Sequence, residues 1–321
     1  MTTSTDKTIQ WLLDGDPAVR WQTLRDLVGA SARTVAAERK RVGQTGWGAR
    51  LLAEQSADGR WGAGAGPSSD AGLYTPKWTS TTYTMLLLRD FGLSPTNSQA
   101  RTACRILLDR GLQADGGINY KPDSRSERCI TGMVLSILSY FQLDDDRVGN
   151  IEKYLRDTQM PDGGWNCRRV ATHSSMNTTI SVLEGIRHRE LSRRGDAPAL
   201  RVAQAKAREF LLVHGLFRSH RTGAIIKSEF MRFVFPPRWH YDVLRALDHF
   251  QSVEAPRDER LSEAIDLVNR RRGDDGRWTL EYAYSGKTHF NLESLRAPSR
   301  WNTLRALRVL KWWNEGPTGE S

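Results

Sequence analysis

A short motif, Asp-Gly-x-Trp, recurs along the chain and constrains its fold more than any other feature of the sequence. Full copies stand at 58–61, 162–165 and 275–278, and a weaker copy stands at 115–117. The aspartates that open them are 57, 47 and 113 residues apart, and because the last gap is close to two periods we expect a degenerate copy near 220–223. A repeat of this period predicts a stacked or closed array of similar units rather than one irregular core.

Six segments carry apolar residues at the spacing of one helix face, and five of them follow a motif loop. They predict inner helices at 20–27, 78–91, 129–141, 174–186, 238–250 and 300–312. The first and last match each other almost residue for residue, Arg-Trp-Gln-Thr-Leu-Arg against Arg-Trp-Asn-Thr-Leu-Arg. A second set, richer in charged residues and alanine, predicts six outer helices at 7–13, 46–55, 98–112, 148–159, 200–214 and 259–272.

Six helix pairs with matching ends predict an all-α (α/α)6 toroid, a single domain over residues 1–321 with short frayed termini at 1–6 and 316–321. Closure would protect the terminal repeats, which an open solenoid has to cap. An open stack of helix pairs is the structural alternative. Strand signals are few, and we expect only a short hairpin between 224–226 and 233–235.

The charge and cysteine content of the sequence limit the partners and the cellular location that we expect. The net charge is +10, but the arginines are scattered at helical spacing without a block of five like charges, so a nucleic-acid partner is not expected. Three cysteines and the lack of an apolar leader predict a reducing, cytoplasmic location. No apolar stretch approaches the ~20 residues of a membrane span, while peripheral contact with a membrane stays open.

The loops at 55–61 and 159–165 extend the motif to Gln-x-x-Asp-Gly-x-Trp. They resemble the repeats of squalene and oxidosqualene cyclases and those of the β-subunits of protein prenyltransferases, and the resemblance covers nearly the whole chain. It implies an α/α toroid. The motif residues also have structural explanations: the Asp-Gly turn needs a positive φ, the carboxylate accepts from backbone N–H groups, and the Trp packs the loop on an outer helix. We therefore assign them no catalytic role.

One departure from the cyclases limits the reaction. Class II terpene cyclases share an Asp-x-Asp-Asp motif, whose central acid protonates an alkene or an epoxide, and this sequence has no such motif. The run at 144–146 is all aspartate, but it follows an inner helix and predicts a turn and a cap for the next helix. The resemblance therefore does not extend to the protonation of squalene itself.

Polar residues at the starts of the inner helices are the candidates for a site, because buried polar groups are costly unless they are paired. We predict catalytic roles for His240, Asp242, Tyr83 and Arg300, with histidine as the natural proton carrier near neutral pH. His240 and Asp242 are two residues apart on a predicted helix, so His240 is expected to meet Arg300 or Asn302 instead, or to bond its own helix. The predicted substrate-binding residues are Trp78, Thr82, Asn177, Trp239, Tyr241, Asn302 and Phe235.

A metal ion is a separate hypothesis that comes from the resemblance. Prenyltransferase β-subunits hold zinc through Asp, Cys and His, and lanthionine cyclases, another toroid, use two Cys and one His. Here Cys129, Cys167, His173 and His289 map to the same end of the predicted ring, and such ligands suit zinc. They do not have the families' spacing. A metal-free site stays open, with Cys129 as a core residue or Cys167 as a nucleophile beside His173.

The 11 tryptophans are consistent with aromatic walls suited to an isoprenoid chain or to a carbocation. The alternative is that they close the interfaces between adjacent repeats, which is the preferred interpretation for Trp21, Trp239 and Trp301. The sequence favours an enzyme that binds and converts a hydrophobic, isoprenoid-like small molecule in a central cavity. Two other functions stay open: a non-catalytic scaffold that binds a protein partner, and a glycan-active toroid whose aromatic walls stack on sugars.

Overall fold

The computed structural model is helical along its length. It describes residues 4–62, 70–121, 124–168, 170–193 and 197–315. Within these ranges the only extended pairing is a set of isolated β-bridges, and no helix is long and apolar enough to cross a membrane. Most of the tails predicted to fray, at 1–3 and 316–321, lies outside the described residues.

Six helices form the buried set that the sequence predicts as inner helices, and we call them the core helices. They are α2 (Pro17–Thr23), α5 (Thr81–Phe91), α7 (Arg128–Tyr140), α9 (Met176–Ser192), α11 (Val243–Ser252) and α13 (Arg300–Glu315). The flanking helices are α1 (Ser4–Leu13), α4 (Gly46–Ala53), α6 (Ser98–Gly111), α8 (Arg147–Asp157), α10 (Pro198–Val213) and α12 (Ser262–Arg270). Both predicted sets are therefore present.

Two details of the helix prediction are wrong. Helix α3 (Ala32–Lys40) was not predicted, because this polar helix has no buried residue and therefore no apolar stripe in its sequence. Helix α11 begins at Val243 rather than at 238, since Pro236 and Pro237 precede it and Arg238 has a φ of 58°.

The chain divides into two compact units. Unit 1 comprises Met1–Ala49, Leu211–Ser285 and Asn291–Ser321, and unit 2 comprises Arg50–Phe210 and Gly286–Phe290. The single domain expected from the repeat stays a prediction.

In unit 1 the first and last core helices are neighbours. Helix α13 packs against both α11 and α2. Arg308 on α13 donates to Gln22 Oε1 at 3.1 Å and lies 3.4 Å from Asp26, in the π-helical segment Leu24–Val28 that continues α2. The two segments that match in sequence thus lie side by side.

In unit 2 the closest helix packing is between α7 and α9. A Cβ added at Gly132 would lie only 2.7 Å from the Cα of Val182, and one added at Gly185 would meet the backbone of Gly132. The absence of side chains at both positions lets the two backbones approach each other. Helix α7 also packs against α5, so that α7 is the central helix of this group.

The motif tryptophans anchor their loops in the same way in each full copy. The three residues Trp61, Trp165 and Trp278 are fully buried. Each donates its indole N–H, at 2.7 Å, to the backbone carbonyl of the residue ten positions earlier, which lies in the preceding flanking helix. The backbone N–H of each motif Trp donates to a threonine hydroxyl of the following core helix: Thr81, Thr179 and Thr303. In the weaker copy, the backbone N–H of Ile118 donates to Thr131 in the same way. Each loop therefore joins a flanking helix to the next core helix, as a structural motif should.

The glycines of the motif have the positive φ that the sequence predicts. Their φ values run from 79° to 94° in Gly59, Gly116, Gly163 and Gly276. The expected degenerate copy is present too, with Gly223 at a φ of 69° beside a bridge between Arg218 and Ile225. This bridge, and the 3-10 turn at Ser228–Met231, replace the hairpin predicted between 224–226 and 233–235, which was wrong.

Candidate functional site

Asp242 is the most unusual polar residue of unit 1. It stands immediately before α11, where its Oδ1 accepts the backbone N–H of Arg245 at 2.7 Å and caps the helix. The residue is 1% exposed, and Oδ2 has no hydrogen-bond partner among the described residues. Burial raises the pKa of Asp242 to about 6, against the opposing charge of Arg305. One oxygen is thus held in place and the other is able to carry a proton near neutral pH.

Two arginines lie near Asp242 without neutralising Oδ2. Arg305 Nη2 is 3.9 Å from Oδ1, beyond hydrogen-bonding distance, and its Nη1 donates to the carbonyl of Val234 at 3.1 Å. Arg245 donates to the carbonyl of His240 at 2.6 Å. Arg305 lies closer to Asp248, 3.4 Å away, than to Asp242. Its charge therefore lowers the pKa of Asp242 by less than burial raises it.

An aromatic stack lies beside this carboxyl group. The His240 ring is sandwiched between Trp239 and Tyr284, with centroid separations of 3.7 and 3.5 Å. Burial raises the pKa of Tyr284, and the charge of Asp242 raises it further, which places the phenol within electrostatic reach of the carboxylate. Trp239, His240 and Tyr284 are all partly exposed, so a ligand could reach this stack.

Two of the predicted residues point elsewhere. Arg300 does not meet His240; its guanidinium lies over the Trp11 ring of α1 at 4.4 Å and donates to the Trp11 carbonyl. Asn302 is buried and donates to the carbonyls of Phe233 and Thr279. The expected contacts of His240 with Arg300 or Asn302 are therefore wrong, because neighbouring loops and α1 take up these side chains.

Two further predicted binding residues are buried in the packing of unit 1. Tyr241 is 1% exposed and donates its hydroxyl to the Leu216 carbonyl at 2.6 Å. Phe235 stacks on Trp301 with a centroid separation of 4.1 Å. A structural role accounts for both contacts.

The structure brings two of the four predicted metal ligands together in unit 2. The backbone N–H of Cys129, in the first turn of α7, donates to Cys167 Sγ at 3.1 Å. Cys129 Sγ lies 3.9 Å from an oxygen of Glu127, and the three ligand atoms are all within 4.8 Å of one another. Glu127 was not among the predicted residues. The signal was present in the sequence as Glu127-Arg-Cys129.

The hydrogen bonds around the two thiols make them unequal. The contact between the two thiols lowers the pKa of Cys167 most, and the bonds to its sulfur from the Thr178 hydroxyl, 3.5 Å away, and from the Cys129 backbone N–H lower it further. The same thiol–thiol contact, followed by burial, raises the pKa of Cys129. Cys167 is the sulfur that deprotonates first. All three cysteines of the chain are free.

The two predicted histidine ligands do not join this group. His173 is exposed, and its carbonyl accepts from Asn166. His289 lies 2.9 Å from the Thr84 hydroxyl through its Nε2. A zinc site of the predicted composition, two Cys and two His, is therefore not formed.

Three other predicted residues of unit 2 lie together at or before the start of α5: Trp78, Thr82 and Tyr83. Trp78 contacts Tyr83 edge to face with a ring-centroid separation of 4.8 Å, and the Tyr83 ring packs on the Tyr74 ring at 5.2 Å. Thr82 donates to the Leu73 carbonyl at 2.7 Å. Asn177, in the first turn of α9, is partly exposed. Their catalytic or binding roles stay predictions.

Comparison with known proteins identifies the fold and no family. No protein-family model matches the sequence, and no curated protein matches it. Among solved structures, a glycosyl hydrolase family 88 protein from Bacteroides vulgatus aligns with a TM-score of 0.53 and 9% identity over 98% of this chain and 99% of that one. A protein from Actinoplanes aligns with a TM-score of 0.48 and 15% identity, covering 97% and 98%. A variant of the type II terpene cyclase MstE from Scytonema, bound to geranylgeranyl dihydroxybenzoate, aligns with a TM-score of 0.44 and 16% identity over 94% of this chain and 87% of that one.

At 9% identity the likeness to the family 88 protein concerns the fold alone. Together with the twelve core and flanking helices, it confirms the predicted class: the chain has the all-α, α/α-toroid fold, which toroid enzymes share.

Proposed function

We propose that this protein is an enzyme in which Asp242 acts as a general acid on a hydrophobic, isoprenoid-like small molecule. The observation that carries the proposal is the buried carboxyl group, with one oxygen fixed by the helix cap, the other unbonded, and a pKa raised to about 6. An acid of this pKa is protonated often enough near neutral pH to donate a proton.

The surroundings suit an alkene and the cation that it forms. In the proposed step, the Oδ2 proton of Asp242 adds to one alkene carbon and leaves a tertiary cation on the other. The next double bond of the chain attacks that cation and forms a ring, and loss of a proton to water completes an isomerisation. Faces of Trp239 and Tyr284 can stabilise the cation through their π-electrons. Water then reprotonates Asp242.

A second candidate is the hydrolysis of a glycosidic bond. It is supported by the fold likeness to a glycosyl hydrolase and by the partly exposed rings of Tyr282 and Tyr284, which contact each other at 5.3 Å and can stack on a sugar. Here Asp242 would protonate the oxygen of the leaving group. Both candidates use the same acid, so the substrate distinguishes them.

The test compares the wild type with Asp242→Asn, which keeps the cap and removes the acidic proton. Farnesyl and geranylgeranyl compounds are incubated with each protein in D2O, and cyclic isomers that carry deuterium are measured by mass spectrometry. We expect turnover that falls as pH rises through about 6, because the protonated acid is the active form, and at least a ~100-fold loss in the variant.

The exposed Asp274→Asn variant is the control and should match the wild type. Release of sugar from glycosides that depends on Asp242 would replace the isoprenoid proposal with the glycan one. Equal turnover by the wild type and Asp242→Asn, or no turnover of either substrate class, would overturn the role of Asp242.

A further inference from the structure

We propose that Glu127, Cys129 and Cys167 bind a soft divalent metal ion such as Zn2+. This site is independent of the acid proposed at Asp242. Within the described residues, these three form a group of potential ligands whose atoms are within 4.8 Å of one another, and all three are partly buried. Two thiolates and a carboxylate are a donor set that suits zinc and leaves a fourth position for water or a ligand.

The distances need only small side-chain movements. Zinc bonds of about 2.3 Å to sulfur and about 2.0–2.2 Å to oxygen place the ligands of a tetrahedral site roughly 3.5–3.8 Å apart. Cys129 Sγ and Glu127 Oε2 are already 3.9 Å apart. Closing the remaining separation by about 1 Å is within the reach of χ rotation in partly buried side chains.

The backbone explains how the two ligands of one segment reach the same point. Glu127 precedes α7 in an extended conformation, with φ −106° and ψ 120°, and its side chain makes no cap bond to the helix. Its carboxylate can therefore turn toward Cys129, although residues two apart within a helix would diverge. Its own carbonyl and N–H remain bonded, to Thr131 and to Ile118.

The third ligand is positioned by its own hydrogen bonds. Cys167 Sγ accepts the backbone N–H of Cys129 and lies 3.5 Å from the Thr178 hydroxyl, contacts that orient a thiolate without occupying all its lone pairs. Arg128 donates to the carbonyl of Asn166 at 2.7 Å and so ties the start of α7 to the loop that carries Cys167.

The test is metal binding by the full chain, purified without a histidine tag, reduced and freed of metal with a chelator. Co2+ is added first, since thiolate coordination gives a charge-transfer band in the near ultraviolet, and Zn2+ is then titrated against a chromophoric chelator. We expect one ion per chain. Glu127→Gln, Cys129→Ser and Cys167→Ser should each weaken binding by at least about 100-fold, because even residues that only support a ligand alter affinity 10–100-fold.

Three variants serve as controls. Cys104→Ser removes the remaining cysteine, and His173→Ala and His289→Ala remove the histidines that lie outside the group; all three should bind the ion as the wild type does. Circular dichroism confirms that each variant is folded. Absence of a thiolate band in the reduced wild type, or equal affinity in the wild type and the three ligand variants, would overturn the proposal. Because the readout is binding, its failure would leave the Asp242 proposal untouched.

Discussion

Two pairs of successive core helices, α7–α9 and α11–α13, pack against each other through different kinds of contact. In α7–α9 the helices approach backbone to backbone at Gly132 and Gly185. In α11–α13 a charged network lies between them, where Asp248 accepts from Arg308 at 2.5 Å and is 3.4 Å from Arg305. The first contact leaves no room for side chains, and the second places charges in a mostly buried interface.

The starts of these helices differ in a related way. At α11 the residue before the helix, Asp242, caps it with its own carboxylate. At α7 the equivalent residue, Glu127, makes no cap bond, and the N–H of Cys129 is satisfied by a sulfur 38 residues away. The capping bond thus decides which carboxylate oxygens are available: Asp242 Oδ2 has no hydrogen-bond partner among the described residues, and neither oxygen of Glu127 caps its helix.

The largest expected effect is at Asp242, whose charge the fold tolerates poorly. Its pKa is about 6 in the folded protein and 3.8 in the unfolded chain, so the folded state binds the proton more tightly and stability is lost as pH rises from the lower value through the higher one. The shift corresponds to about 3 kcal/mol at full ionisation. Asp242→Asn should therefore be more stable than the wild type by up to about 3 kcal/mol near pH 8, and similar to it near pH 4.

Denaturant unfolding of both proteins at the two pH values measures this difference. The exposed Asp274→Asn variant should follow the wild type at each pH. A stability gap between Asp242→Asn and the wild type that is the same at both pH values would show that Asp242 does not carry a raised pKa.

The helix pattern was accessible from sequence, and much of the site was not. Apolar residues at a 3.6-residue period reveal each core helix whatever it packs against, whereas a side chain's target depends on neighbours distant in sequence. Arg300 was placed correctly at the start of α13, yet it bonds Trp11, 289 residues away. Glu127 was overlooked because only the extended backbone before α7 allows it to approach Cys129.

The close approach of α7 and α9 gives the second largest expected effect, on stability. In Gly185→Ala the new methyl group would meet the backbone of Gly132, so the helices must move apart, at an expected cost of about 2 kcal/mol. Gly149→Ala in α8 is the matched control, because a Cβ there meets nothing within 4 Å. It should stabilise the protein by about 0.5–1 kcal/mol through helix propensity. Equal stabilities of the two variants in thermal unfolding would contradict the tight packing of α7 on α9.

The smallest effect isolates the cap of α7. In the chelated, reduced protein, Cys167→Ala removes the acceptor of the Cys129 N–H and should cost about 1 kcal/mol, the usual value of a lost helix cap. Glu127→Ala should change stability by less than about 0.5 kcal/mol, since that carboxylate bonds no backbone N–H of the helix. Cys167→Ser keeps an acceptor and should fall between them. A larger loss in Glu127→Ala than in Cys167→Ala, measured by urea unfolding, would mean that Glu127 caps α7. The carboxylate would then be unavailable to the thiols, and the difference drawn between α7 and α11 would disappear.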